Sequence, residues 1–168
     1  MLKMKFTLIA VFALGSCVVS ASAQRGPSTP EERTRAVEMV IFLETTPLAK
    51  DAKDYRAKLL FFLAAVPDIT VKLCSSVLGE SKRVKGDYEA ELVGQMAFSQ
   101  AKFVIEHPDK AQDDAALYLA GVEGALRTWQ AIKTAKPKAK FPLMDELLHK
   151  QQGGTLAESV KSGMSGCK

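Results

Sequence analysis

Histidine is almost missing from this chain, which has only His107 and His149, together with one tryptophan and three cysteines in 168 residues. Neither histidine stands in a metal-ligand spacing or beside a plausible nucleophile, so the side chains that build zinc sites and nucleophilic triads are too sparse to meet. No metal, cofactor or catalytic residue is expected. A strong charge of either sign is missing too, with 23 Lys and Arg against 19 Asp and Glu. Nucleic-acid binding through counterion release needs a concentrated basic face, and this balance offers no such excess. The apolar run from Phe6 turns small and polar at Gly15-Ser16, short of the roughly 20 residues that a spanning helix requires. Convincing period-two alternation is also wanting, which removes the main signal for a sheet.

What stands at the start has the layout of an export signal: Lys3 and Lys5, the apolar stretch, then small residues. Two processing readings compete over the next dozen positions. Ala21-Ser22-Ala23 offers the small-x-small pattern of signal peptidase, which leaves Gln24 as the first residue. Leu14-Gly15-Ser16-Cys17 loosely resembles a bacterial lipobox with Cys17 acylated, although Val18-Val19 are apolar where a solvated tether is expected. The first site is the cleaner, so residues 1–23 are read as a signal peptide and 24–168 as a single helical domain, periplasmic or secreted. The alternative is a lipoprotein anchored through Cys17, the one route by which membrane contact is expected. Either cut leaves Cys74 and Cys167, which in an oxidising compartment read as one disulfide that pins a flexible C-terminal tail.

Along the remainder the apolar period is helical. Thr29-Pro30-Glu31-Glu32 supplies an N-cap, a proline at the first helical position and a capping-box glutamate, and Ala36, Val37, Val40, Ile41 and Leu43 continue until Thr45-Thr46-Pro47. A second helix is expected from about Leu48 to Val66, and its end, LLFFLAAV, is apolar all round and so expected to be buried between neighbours. Asp68 should cap a short third helix through Ile69, Leu73, Cys74 and Val77 to Gly79, followed by a polar loop over 79–87. The fourth, from Tyr88 to about Glu106, turns Val93, Met96, Ala97, Phe103 and Val104 inward. Gln100 lies amid that stripe as a core amide satisfied by a neighbouring helix. The fifth, from about Asp109 to Ala135, carries Ala115, Leu119, Val122, Leu126 and Trp129 on one stripe. Leu117, Gly121, Gly124 and Thr128 form a nearly opposite face, small enough to admit a close helix. Helices around Leu143–Lys150 and Thr155–Lys161 follow. The expected fold is all-α, a compact irregular bundle of five to seven helices around a long central helix near residues 110–135.

His107-Pro108-Asp109 resembles the His-Pro-Asp turn of the J-domain co-chaperones, and the rhythm of Leu119, Val122, Ala125, Leu126 and Trp129 echoes the helix after that turn. The preceding helix lacks the basic face by which J-domains dock, since its Lys102 stands against Glu106. The turn is therefore read as a proline ending one helix and Asp109 capping the next. Glu123 is a candidate buried carboxylate near Gln100, with a solvated pair to Arg127 one turn later as the plainer account. Lys133, Lys136, Lys138 and Lys140 complement the dipole where the central helix ends. These features lead to an exported, non-catalytic binding or adaptor protein whose partner is another envelope or secreted protein, not nucleic acid. The alternative is a carrier of a small apolar ligand or lipid, in a candidate pocket lined by Phe61, Phe62, Met96, Phe103 and Trp129.

Overall fold

The structure, a computed structural model, describes residues 25–78 and 86–167; the signal segment, both processing sites and most of the 79–87 loop lie outside the described residues. The first helix begins as its sequence demands. The Glu32 N–H donates to Thr29 Oγ1 at 3.3 Å, and the Thr29 N–H donates to Glu32 Oε2 at 2.9 Å. This reciprocal cap, with Pro30 in the first turn, starts α1 (Pro30–Thr45), which buries Ala36, Val40, Leu43 and Glu44. Helix α2 (Ala52–Ala65) starts later than Leu48 because the chain first makes turns, with Ala49 N–H donating to Thr46 O and Ala52 N–H to Ala49 O.

The expected burial of LLFFLAAV is corrected by the structure: Leu60 is 57% and Phe61 78% exposed. Helix α2 lies at the edge of the bundle, against α1 and α3, and turns Ala52 and Leu59 toward them, so Phe61 falls on its open side. The expected third helix is also replaced. Residues 68–74 run without helical structure into a short 3-10 turn at Ser75–Leu78. The reason is Gln100, whose Oε1 accepts from the Lys72 N–H at 2.7 Å while its Nε2 donates to the Lys72 carbonyl at 2.8 Å. A side-chain amide thus takes both backbone groups that a helix would have used.

Helix α3 (Glu89–Glu106) follows Tyr88, a non-glycine residue at φ 62°. Helix α4 (Asp114–Ala135) is the long central element, capped not by Asp109 but by Asp113, whose carboxylate accepts from Ala116 N–H at 3.1 Å. Asp109 lies instead in a 3-10 turn, Pro108–Lys110, between the two helices. The small face of α4 does admit a close helix: a Cβ on Gly124 would sit 1.9 Å from Ser99 Oγ, and one on Gly121 would sit 3.0 Å from the Met96 carbonyl. Helices α5 (Pro142–Gln152) and α6 (Leu156–Gly163) close the chain. They cover Trp129, which is fully buried and donates its indole N–H to Asp145 at 2.8 Å.

Three apolar clusters result, one of α3 to α6 around Trp129, one between α1, α2 and Phe98, and one uniting Val66 and Ile69 with Val104 and Leu117. Cys74 and Cys167 form a disulfide across 93 positions, and Met164–Gly166 forms a final 3-10 turn leading into it. The protein is an all-α bundle of six helices with no strand among the described residues.

Candidate functional site

The polar centre of the molecule is built where α1, α3 and α4 meet. Glu44 closes the last turn of α1 on the same side as Val37, Val40 and Ile41, so the helix carries a carboxylate inward; its side chain is only 6% exposed. Arg127 reaches it from α4 with two hydrogen bonds, Nε to Oε2 at 2.7 Å and Nη2 to Oε1 at 2.9 Å. Ser99 of α3 donates to the same Oε1 at 2.8 Å and accepts from Gln95 Nε2 at 3.1 Å. The hydrogen bond to Glu44 holds the Arg127 guanidinium above its ordinary range; burial opposes this, and the charges of Glu44, Glu123 and Glu106 reinforce it. Such paired, charge-assisted bonds fix geometry as well as charge.

Above this tie lies a groove of about 350 Å³. Ile41, Phe103 and Ala120 supply its apolar wall, and Lys102, Glu106, His107 and Glu123 its polar rim. Lys102 and Glu106 pair at 2.9 Å, and the His107 ring lies 4.9 Å from that of Phe103. The Glu44 oxygens are occupied by Arg127 and Ser99 and are not presented to a reactant. Among the described residues no three His, Cys, Asp or Glu side chains stand where they could share a metal ion.

Of the residues singled out in the sequence, Phe103 and Glu123 line this groove with His107. Glu123 is half-buried, but the partner of Arg127 is Glu44 on another helix, which replaces the expected pair one turn apart. Gln100 is fully buried as expected, yet it serves the Lys72 backbone, not a helix, and does not meet Glu123 in the groove. The five apolar candidates do not line one pocket. Met96 and Trp129 belong to the cluster around α4, Phe62 joins the other two clusters, Phe103 flanks the third, and Phe61 faces solvent. Glu44 and Ser99 escaped the sequence reading, and Arg127 entered it only as a partner for Glu123, although a glutamate in register with an apolar stripe, seven positions after Val37, was a usable signal.

The lysine cluster divides: Lys133 donates to the Ala139 carbonyl at 3.2 Å and lies over the Trp129 ring, whereas Lys136 and Lys138 border an open hollow beside Asp87 and Tyr88. His107 ends α3, its N–H donating to the Phe103 carbonyl at 2.8 Å. The class these features define is a disulfide-linked all-α bundle with a preorganised mixed-charge groove, and no described helix is long and apolar enough to cross a membrane. Compared with known proteins, the chain matches no family model, no curated protein and no solved structure.

Proposed function

We propose that this is an exported, non-catalytic binding protein, periplasmic or secreted, that engages another protein through the groove between α1, α3 and α4. The observation that carries the reading is the preorganised floor of that groove. Arg127, Glu44 and Ser99 are fixed to one another, while Glu123 on α4, Lys102 on α3 and His107 just past the end of α3 stand at the rim. Binding surfaces gain from groups that need no reordering on contact. Export is supported by the signal layout of residues 1–23 and by the Cys74–Cys167 disulfide, a bond that persists in oxidising compartments. The carrier alternative draws less support, since its five candidate residues are spread over three clusters and the surface.

The test is native mass spectrometry and cross-linking of the protein in its own envelope or medium, comparing wild type with Glu123→Gln and Lys102→Ala. A partner lost in both variants, with folding intact, supports the reading. A partner indifferent to both variants, or a stoichiometric lipid enclosed within the fold, refutes it.

A further inference from the structure

We propose that the open face of α2 docks on a phospholipid bilayer bearing anionic headgroups, with Leu60 and Phe61 entering the interfacial region. Both side chains project into solvent, and Ala57, Ala64 and Ala65 are exposed beside them, so the last turns of α2 present an apolar patch. From Lys53 to Pro67 the exposed charges are Lys53 and Lys58 against Asp54, while Arg56 is turned inward and donates from Nη2 to the Pro47 carbonyl at 2.7 Å. Lys58 extends over the Tyr55 ring at 5.5 Å, placing a cation at the border of the patch. Apolar tips with a basic flank suit the boundary between headgroups and acyl chains, where buried apolar area and attraction to anionic lipid add.

The next acid, Asp68, is already engaged. It accepts from the Ser28 N–H at 2.8 Å, from Ser28 Oγ at 2.7 Å and from Arg33 Nη2 at 2.7 Å. This latch also fixes where the chain enters the described fold, three residues past Ala65 at the end of α2. Phe61 lies only about 6 Å along the helix axis from that end. Lys53 and Lys58, exposed beside the apolar tips, favour an anionic bilayer over a second copy of this same lysine-bearing face.

The test is flotation with vesicles of phosphatidylcholine alone and of phosphatidylcholine mixed with phosphatidylglycerol. It uses soluble protein exported as Cys17→Ser, so that no acyl chain contributes. Flotation with the anionic vesicles is expected, weakened about tenfold by Leu60→Ser with Phe61→Ser, with an unchanged melting temperature because both side chains are already solvated. Phe61→Trp should keep flotation and add a vesicle-dependent blue shift in emission. No flotation with either vesicle, or flotation indifferent to the double change, overturns the proposal. So does a dimer in sedimentation that the double change abolishes, since that assigns the face to a second copy.

Discussion

Replacing Arg127 by methionine leaves the Glu44 carboxylate without its cation inside the bundle. Removing one partner of a fully buried ion pair costs about 3–5 kcal/mol. Here the arginine side chain is 44% exposed, so water reaches the vacated side, and Ser99 still donates to Glu44. The expected loss is therefore smaller, about 2 kcal/mol. Glu44→Gln in the Arg127→Met background removes the stranded charge but keeps an acceptor for Ser99. The double variant should recover part of the loss, giving a coupling energy on the order of 1 kcal/mol. Urea unfolding followed by emission of Trp129, the only tryptophan and fully buried, measures all four members of the cycle. A single change costing under about 0.5 kcal/mol, or two strictly additive changes, would show that the pair is not a tie between α1 and α4.

Three further outcomes follow from the packing and the latch. Gly124→Ala forces a Cβ against Ser99 and to 2.9 Å from Glu44 Oε1, whereas Gly121→Ala meets its nearest neighbour at 3.0 Å; the first should lower the melting temperature more than the second. Reducing the Cys74–Cys167 bond, or replacing both cysteines by serine, reopens a loop spanning 93 positions and should cost up to about 4–5 kcal/mol in calorimetry. Burial pushes the Asp68 carboxyl up, but Ser28 and Arg33 outweigh it and hold it down at about 2. A carboxyl lowered by folding contributes stability that is full above about pH 4 and lost as pH falls through about 2, here at most about 2 kcal/mol. The stability gap between wild type and Ser28→Ala should narrow across that window in acid unfolding.

Local signals carried most of the architecture. Thr29, Pro30 and Glu32 marked the start of α1, the proline after Thr45-Thr46 marked its end, and the two glycines marked the close face of α4. Cap competition was less legible: Asp109 and Asp113 both precede helical sequence, and only the placement of Pro108 in its own turn gives the cap to Asp113. The segment after Asp68 misled for a tertiary reason. Its apolar spacing suits a helix, but Gln100, distant in sequence, binds the Lys72 backbone in a non-helical conformation. Phe61 misled because composition cannot tell a helix between neighbours from one at the edge. The groove was legible only in pieces, since Glu123 and Phe103 carried signals, but their meeting with Glu44 depends on how three helices cross.

The glycine at 124 and the charge at 44 belong to one arrangement. Helix α4 approaches α3 so closely at Gly124 that Ser99 and the tip of Glu44 occupy the place of a side chain. Ser99 and Glu44 fill that place together, joined by a hydrogen bond of 2.8 Å. A buried carboxylate requires a cation, and Arg127, one turn from Gly124 on α4, is the group within reach. The polar floor of the groove thus lies where α3 and α4 pack closest. A ligand that drew Arg127 away from Glu44 would strand that charge and loosen α1 from α4, whereas Glu123, Lys102 and His107 can be engaged without disturbing the floor. Under the proposed binding function, selectivity would fall to those rim residues, so Glu123→Gln and Lys102→Ala test the binding reading and Arg127→Met tests the fold.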